Sequence, residues 1–249
     1  MINIILSGCN GKMGKVISQL AAEDNECKIV CGLDINTDSC SDYPVVDDIN
    51  KFDGKADVII DFSNPAVADG LIDYCGRTGT ALVMATTGLS DEQIKALDKL
   101  SETAAVFRSA NMSLGINLLI SLVRKAALAL GGDFDIEIVE KHHNRKIDAP
   151  SGTALMIADA MAEELSDKPE YVYDRHSVRK KRSHDEIGIH SVRGGTIVGE
   201  HEVIFAGNDE IIEIKHTAMS REIFAVGSIK AAKFIADKKP GMYSMQNMM

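Results

Sequence analysis

The chain has 249 residues, of which 45% are hydrophobic and 26% charged, as in folded globular proteins rather than disordered, collagen-like or disulfide-rich chains. Its net charge of −10 disfavours nucleic acid and anionic membranes as partners, because phosphate binding needs clustered Lys and Arg. Residues 2–6 run directly into a strand-like stretch and no apolar run approaches the ~20 residues of a membrane span. We therefore expect neither a secretory leader nor a membrane anchor.

The cysteine content indicates a reducing compartment. The chain has an odd number of cysteines, namely Cys9, Cys27, Cys31, Cys40 and Cys75. Without a secretory leader, this pattern predicts reduced thiols and a cytoplasmic protein. Cys27 and Cys31 lack a second pair or nearby histidines, so no metal site is predicted. The basic run 179–182 is followed by two acids, and we interpret it as a solvated loop.

The first half of the chain alternates short apolar runs with amphipathic stretches. The apolar runs predict buried strands at residues 2–6, 28–33, 57–62, 81–85 and 104–108. Apolar residues at helical spacing predict helices at residues 12–22, 65–77 and 90–101. Asn64 and Ser90 are the expected N-caps of the last two. Strands that alternate with helices over ~110 residues predict a parallel sheet with helices on both faces.

The second half has a different pattern. It predicts a long apolar helix at 114–130, a half-buried strand at 133–139, a polar loop at 141–150 and a helix at 151–165. Three more alternating stretches, at 186–193, 197–205 and 210–216, are predicted to form an antiparallel meander. A last helix, at 220–236, is predicted to return to the first domain. We therefore expect one domain from residues 1–112, completed by 218–249, and a second from residues 113–217.

A glycine-rich turn follows the first predicted strand. Glycines at positions 8, 11 and 14 form G-x-x-G-x-x-G, a variant of the dinucleotide fingerprint that allows a tight turn and close backbone approach to a pyrophosphate. Asp34 ends the second strand 20 residues after Gly14, where an acid accepts hydrogen bonds from the adenosine ribose. The polar turns at 85–88 and 109–112 are expected walls for the nicotinamide half. These features predict a Rossmann-type domain that binds a nicotinamide dinucleotide.

The polar segment 141–153 contains two adjacent histidines, three cations and a helix start. Neighbouring side chains of an extended chain point to opposite sides, so His142 and His143 are expected to have separate roles rather than to share a metal. A histidine near Lys146 can supply a proton donor and an electrostatic clamp. The helix that opens at Ser151 leaves backbone N–H groups that favour a carboxylate. A solvated basic loop is the alternative interpretation.

Motifs from both halves resemble one enzyme family. They comprise residues 8–15, the Thr-Thr-Gly turn at 86–88, and Glu-x-His-His-x-x-Lys-x-Asp-Ala-Pro-Ser-Gly-Thr-Ala-Leu at 140–155. Ser-Val-Arg-Gly-Gly at 191–195 and Val-Gly-Glu-His at 198–201 complete the set. Together they are similar to the 4-hydroxy-tetrahydrodipicolinate reductase (dihydrodipicolinate reductase) family of the bacterial lysine pathway. The resemblance implies NAD(P)H-dependent reduction of a cyclic hydroxy-dicarboxylate imine to tetrahydrodipicolinate, with loss of water.

The resemblance also implies roles for individual residues. His142 matches the general acid that protonates the ring carbon after hydride arrives, and Lys146 matches its cationic catalytic partner. The substrate-carboxylate contacts match His143, Gly152 and Thr153, with Ser151 beside them. The cofactor site matches Gly8, Cys9, Asn10, Gly11, Lys12, Met13, Asp34, Ala85, Thr86, Thr87, Ser109, Ala110, Asn111 and Met112.

For the whole molecule, the resemblance implies a cytoplasmic homotetramer assembled through the sheet of the second domain. The expected fold is α/β, with a Rossmann-type parallel-sheet domain and an α+β substrate-binding and oligomerisation domain whose mixed sheet is largely antiparallel. Ile35 stands where many relatives have a basic residue after the acid, so we expect NADH preference or dual use of NADH and NADPH. The remaining histidines are interpreted as strand or surface residues: His176, His184, His190, His201 and His216.

Two alternatives stay open at the level of sequence. One is another two-domain NAD-dependent amino-acid dehydrogenase, which would share the first domain but has no use for a dicarboxylate-binding helix start. The other is a non-catalytic NAD-sensing protein, which would keep the glycines and Asp34 without needing His142 and Lys146 together.

Overall fold

A computed structural model describes residues 1–38 and 42–249, which form two compact units. The first unit comprises Met1–Leu114 and Arg221–Met249, and the second comprises Gly115–Ser220. Cys40 lies outside the described residues, whereas the other four cysteines are buried free thiols. None of the helices in the described ranges combines the length and apolar character that crossing a bilayer requires.

Strands and helices are numbered in chain order across both units. The strands are β1 (Ile2–Ser7), β2 (Cys27–Leu33), β3 (Val45–Val46), β4 (Val58–Asp61), β5 (Ala81–Met84), β6 (Ala105–Arg108), β7 (Asp135–His142), β8 (Glu170–Val172), β9 (Glu186–Arg193), β10 (Gly199–Ala206), β11 (Ile211–Ala218) and β12 (Gly241–Tyr243). The helices are α1 (Lys12–Ala22), α2 (Ala68–Thr78), α3 (Asp91–Leu100), α4 (Leu114–Leu130), α5 (Gly152–Ala162) and α6 (Glu222–Ile235). Short 3-10 helices lie at Ile49–Lys51, Pro65–Val67 and Met245–Met248.

The first unit is built on a parallel sheet in the order β12-β6-β5-β4-β1-β2-β3. Successive residues of β1 point to opposite faces, so Ile4 joins one hydrophobic cluster with α1 and α6, while Ile5 joins another with α2 and α3. Burial on both faces explains the continuous apolar runs in the sequence. The predicted Rossmann-type sheet is confirmed.

Two of the predicted N-caps are also confirmed. Asn64 accepts a hydrogen bond from the backbone N–H of Ala66 at 2.9 Å and starts the 3-10 turn that leads into α2. Ser90 caps α3 and forms a reciprocal capping box with Gln93. These caps start the helices that follow β4 and β5, and the polar turns between strand and helix lie at the carboxyl ends of those strands.

The second unit has a five-stranded mixed sheet in the order β11-β10-β7-β9-β8. Strand β10 is antiparallel to β11 and to β7, whereas β7–β9 and β9–β8 are parallel pairs. The mixed sheet is confirmed, but the expectation that it is largely antiparallel is wrong, because two of its four strand pairings are parallel. The predicted meander is wrong, because β7 lies between β9 and β10. Helices α4 and α5 pack on one face of the sheet, where Ile136, Ile138 and Val203 are buried.

Two further details differ from expectation. The strand predicted at 133–139 continues to His142, because Lys141 and His142 pair with Val192 and Arg193 of β9. The basic run is an exposed loop except at Arg182, whose side chain is only 18% exposed and pairs with Asp135 and Glu137.

Candidate active site

The glycine loop of the first unit has the geometry of a dinucleotide cradle. Gly8 has a φ of +78°, and a Cβ atom there would lie 2.5 Å from the carbonyl oxygen of Phe62. A Cβ on Gly14 would lie 2.2 Å from the Gly8 oxygen, so α1 can begin close to the loop only with glycine. Within the described residues, no side chain caps α1 at Gly11, which leaves its first N–H groups for an anion.

Asp34 lies beside this loop, as its position after β2 predicts. Its carboxylate accepts hydrogen bonds from the backbone N–H groups of Asn10 at 3.0 Å and Asn36 at 3.1 Å. The Asn10 side chain donates in turn to the carbonyl oxygens of Asn36 and Asp38. The glycine loop and the segment after β2 are therefore joined into one structure. A carboxylate fixed in this way fits the ribose of a dinucleotide.

The other strand ends of the first unit form a polar cluster. Ser63 donates its backbone N–H to Thr86 Oγ1 at 2.9 Å and its hydroxyl to the buried carboxyl group of Asp61, and Ser7 Oγ lies 3.2 Å from Ser63 Oγ. Burial raises the pKa of Asp61 despite these hydrogen bonds. A cavity of about 410 Å³ is lined in part by Thr86, Thr87, Ser109 and Ala110. The polar turns that the sequence singled out thus border one cavity.

Some predicted cofactor residues point away from this edge. The side chain of Cys9 lies in the hydrophobic core, where burial raises the pKa of its thiol to about 11. Asn111 and Met112 are also buried, and the Met112 carbonyl packs so tightly on α6 that a Cβ on Gly227 would lie 1.7 Å from it. Cys9 and Met112 can therefore offer a cofactor only their main-chain groups, whereas the Asn111 side chain accepts a hydrogen bond from the backbone N–H of Ser113 at 2.9 Å. Lys12 and Thr87, by contrast, are exposed.

The second unit contains a buried carboxylate at the end of β7. Glu140 is fully buried and accepts a bidentate pair of hydrogen bonds from Arg193 at 2.8 and 2.6 Å. It also accepts from His142 Nδ1 at 2.5 Å and from the backbone N–H of Ser151 at 3.1 Å. Burial alone would raise the pKa of Glu140, but the hydrogen bonds from Arg193, Ser191 and His142 outweigh it and hold the pKa at about 2. Glu140 is therefore ionised at neutral pH.

An ionised Glu140 defines the orientation of His142. A carboxylate only accepts hydrogen bonds, so His142 donates through Nδ1 and its Nε2 is the atom that can exchange a proton. A Cβ atom on Gly199 would lie 3.1 Å from this Nε2, so glycine keeps the space beside it open. Burial lowers the pKa of His142, and Glu140 opposes that shift. The arrangement is that of an oriented acid–base histidine.

The loop after β7 brings the remaining predicted residues together. Lys146 pairs with Asp148 at 2.9 Å, and this hydrogen bond lowers the pKa of the Asp148 carboxyl group. Ser151 caps α5 by accepting from the backbone N–H of Ala154, so Gly152 and Thr153 form the first turn of the helix. Arg193 donates to the carbonyl oxygen of Asp148 and thereby holds this loop to the sheet.

Three residues in this cluster were not predicted as site residues: Glu140, Arg193 and His201. His201 was interpreted as a strand or surface residue; it lies in strand β10, where it is buried and its Nε2 lies 3.0 Å from Ser151 Oγ. Its ring also packs edge-on against His142, with centroids 5.2 Å apart. The available signal was Glu140 itself, because an acid at the core-facing position after Ile136 and Ile138 requires partners.

A Rossmann-type unit with a dinucleotide cradle, followed by a mixed α+β unit with an oriented acid–base histidine, defines a two-domain pyridine-nucleotide-dependent reductase. The family model described as "Dihydrodipicolinate reductase, N-terminus" matches residues 2–112. The model described as "Dihydrodipicolinate reductase, C-terminus" matches residues 115–249. The chain belongs to the dihydrodipicolinate reductase family, and the resemblance seen in its motifs is confirmed.

Individual relatives match along the whole chain. A 4-hydroxy-tetrahydrodipicolinate reductase of Caldanaerobacter subterraneus subsp. tengcongensis is 55% identical, covering 100% of this chain and 98% of the relative. A 4-hydroxy-tetrahydrodipicolinate reductase of Clostridium tetani is 48% identical, covering 100% of this chain and 97% of the relative. A dipicolinate-bound dihydrodipicolinate reductase from Paenisporosarcina sp. TG-14 has a TM-score of 0.84 at 26% identity, covering all of both chains.

Proposed function

We propose that this chain reduces 4-hydroxy-tetrahydrodipicolinate to tetrahydrodipicolinate with NADH or NADPH, in diaminopimelate and lysine biosynthesis. Family membership supports this activity. The observation that carries it is the buried Glu140, which orients His142 and also binds the start of α5 through Ser151. One carboxylate thereby connects a proton donor to a helix start suited to substrate carboxylates.

In the overall reaction, the substrate, NAD(P)H and one proton give tetrahydrodipicolinate, NAD(P)⁺ and water. The reduced nicotinamide supplies the hydride when it is bound. His142 supplies the proton to the ring carbon from Nε2, while Glu140 stabilises the imidazolium at Nδ1. A dicarboxylate bound nearby adds negative charge, which raises the pKa of His142 and favours its protonated form. The histidine is therefore charged most readily when substrate is present.

We assign the substrate carboxylates to His143, Lys146, Ser151, Gly152 and Thr153. The N–H groups of the first turn of α5 and the ammonium of Lys146 are donors of the kind that carboxylates prefer. In the structure Lys146 already pairs with the 57% exposed Asp148. Because the carboxylate of this pair is exposed to water, the pair contributes only about 1 kcal/mol, so a substrate carboxylate can compete for the lysine.

Replacement of Lys146 by alanine tests this assignment. A charge-assisted hydrogen bond contributes about 1.5–3 kcal/mol, so Lys146→Ala should raise the KM for substrate about 10- to 100-fold. The matched control is Arg145→Ala, an exposed cation of the same loop, which should leave KM unchanged. Steady-state kinetics on both folded variants measure the difference. An unchanged KM in Lys146→Ala would mean that this lysine is a solvated loop residue.

We assign the cofactor to the first unit, to the residues inferred from the motifs, with Gly8, Asn10, Gly11 and Asp34 as its core. Asp34 accepts hydrogen bonds from the ribose diol of NADH but repels the 2′-phosphate of NADPH. Ile35 is 94% exposed and offers no compensating charge. Lys12, exposed at the start of α1, is the basic side chain of the glycine loop that can reach towards a 2′-phosphate. We therefore propose NADH preference, or use of both cofactors within about tenfold, which is ~1.4 kcal/mol.

The double variant Asp34→Ser/Ile35→Arg tests the cofactor assignment. It removes the repulsion and adds a bidentate phosphate donor, so the ratio of kcat/KM values should shift towards NADPH. Asp38→Ser, an exposed acid of the same segment, is the control and should leave the ratio unchanged. A wild type that favours NADPH more than tenfold would contradict this account of Asp34 and Ile35.

We further propose that the protein is a cytoplasmic homotetramer assembled through the sheet of the second unit. Val139, Val192 and Ile204 alternate with residues that face α4 and α5, so they lie on the opposite face of the sheet, where Val192 is 44% exposed. Apolar side chains on an open sheet face favour association with another copy. Light scattering of the purified chain tests the tetramer directly.

A coupled assay tests the activity. The substrate is generated in the cuvette from pyruvate and aspartate semialdehyde by the preceding synthase, and NADH or NADPH oxidation is followed. Oxidation should require the complete mixture. Aspartate and homoserine, each supplied with NAD⁺ or NADP⁺, are the controls for another amino-acid dehydrogenase, because these substrates donate a hydride. Cofactor reduction with either of them, or no NAD(P)H oxidation with the complete mixture, would contradict the proposed function.

A further inference from the structure

His201 lies in a transverse row of polar residues across the second sheet. In register, it is flanked by Glu140 on β7 and by His216 on β11. It is 4% exposed, and its Nε2 lies 3.0 Å from Ser151 Oγ. Its other ring nitrogen, Nδ1, is buried and has no hydrogen-bond partner within the described residues. The imidazole therefore makes one hydrogen bond, and that bond is to the N-cap of α5.

The unpartnered nitrogen indicates where the imidazole proton lies. Burial, and then the neighbouring His142, lower the pKa of His201 to about 4, so the ring is neutral at neutral pH and has one N–H group. A proton on Nδ1 would leave a buried donor unsatisfied, which is unfavourable because that N–H group loses its hydrogen bond to water and gains none in the protein. A proton on Nε2 instead donates to Ser151 Oγ and leaves only an acceptor unsatisfied. His201 is thus the donor in this hydrogen bond.

This direction has a consequence for Ser151. A hydroxyl group has two acceptor sites and one donor. Ser151 Oγ accepts from the backbone N–H of Ala154 at 3.2 Å and from His201 Nε2, which uses both acceptor sites. The backbone N–H of Ser151 already donates to Glu140. The remaining function of the side chain is therefore to donate its hydroxyl hydrogen.

We propose that His201 is a positioning residue that, by donating to Ser151, commits the serine hydroxyl to donate to a carboxylate of the substrate. The inference rests on the proposed function, because it assigns that carboxylate to the start of α5. A substrate carboxylate only accepts hydrogen bonds. A serine whose two acceptor sites are occupied can only donate, so it favours a carboxylate over a group that needs an acceptor. His201 acts on binding through Ser151 and does not itself contact the substrate.

The test compares two substitutions of His201. His201→Gln keeps an N–H donor near the position of Nε2, whereas His201→Met has a similar size and no donor. His201→Met should raise the KM for substrate and the Kd for dipicolinate, used as a dicarboxylate probe, about 5- to 20-fold, with kcat changed less than threefold. His201→Gln should restore both values to within about threefold of wild type. A change confined to kcat would overturn the proposal, because His201 would then act on His142.

A double-mutant cycle separates positioning from packing. In a Ser151→Ala background the hydroxyl is gone, so His201→Met should cause no further rise in the Kd for dipicolinate. Additive effects would show that His201 acts on packing and would overturn the proposal. Thermal unfolding verifies that each variant is folded. If the wild type neither binds dipicolinate nor oxidises NADH with substrate, the proposed function itself fails. If the wild type does both and the cycle is additive, only the role of His201 fails.

Discussion

His142→Gln is expected to lower kcat about 10²–10⁴-fold, the usual contribution of a positioned general acid. Glutamine has a polar side chain but cannot release a proton at neutral pH. The affinity for NADH should stay unchanged, because the residues assigned to the cofactor belong to the first unit and His142 belongs to the second. Initial rates in the coupled assay give kcat, and a fluorescence titration with NADH gives the cofactor affinity.

A control for this result is His176→Gln, an exposed histidine in a loop of the same unit. It should retain wild-type kcat. Full activity of folded His142→Gln would exclude His142 as the general acid. A large loss of NADH affinity would show instead that the substitution disturbs the first unit, and the kinetic result would then say nothing about proton transfer.

The second large effect concerns stability. Arg193→Met should lower the free energy of unfolding of the second unit by about 3–5 kcal/mol, because it leaves Glu140 charged and buried without its main partner. Arg124→Met is the control: its partners Glu163 and Glu164 are 63% and 23% exposed, so neither is left fully buried without a partner, and the substitution should cost about 1 kcal/mol or less. Urea denaturation gives the free energies, and hydrogen exchange of the β7 amides reports on the second unit alone.

The pH dependence of unfolding tests whether the charge of Glu140 causes this loss of stability. The folded-state pKa of Glu140 is about 2, below the ~4.3 of an unfolded glutamate, so its contribution is present above that unfolded value and is lost as the pH falls towards 2. The difference between wild type and Arg193→Met should therefore shrink between about pH 5 and pH 2. A difference that stays constant over this range would mean that Arg193 stabilises the unit through packing rather than charge.

Much of the first unit is predictable from the sequence because each strand is buried on both faces. Such strands read as continuous apolar runs, and α1 was predicted with its observed bounds, Lys12–Ala22. The edge strands β3 and β12 were missed, because two or three residues are too few to show a period. The glycine loop was found because its turn requires a residue that tolerates the positive φ of Gly8.

The second unit shows the limit of sequence pattern. Strands β9, β10 and β11 follow one another in the chain with the alternation typical of a meander, yet β7 pairs between β9 and β10. Alternation reports which face of a strand is buried and carries no information about its neighbour. The pairing depends on tertiary packing against α4 and α5, which the local sequence does not encode.

The same limit explains which residues of the candidate active site could be predicted from the sequence. His142, Lys146 and Ser151 lie within one short segment and could be identified from its motif. Glu140 and Arg193 are distant in sequence, and they meet because β7 and β9 are parallel neighbours with His142 paired to Arg193. His201 reaches the site through the opposite neighbour, β10, where it pairs with Glu140. Residues that meet only across strands become visible once the strand order is known.

The pH dependence of kcat/KM tests the role of His142 most directly, because kcat/KM reports the ionisation of the free enzyme. Only protonated His142 can donate, and burial places its pKa below that of an ordinary histidine. In the wild type, kcat/KM should therefore fall as the pH rises through that lowered pKa. The decline in kcat should lie at a higher pH, because the bound dicarboxylate raises the pKa of His142. In His142→Gln this decline should be absent. The same decline in both proteins would contradict the assignment of His142 as the general acid.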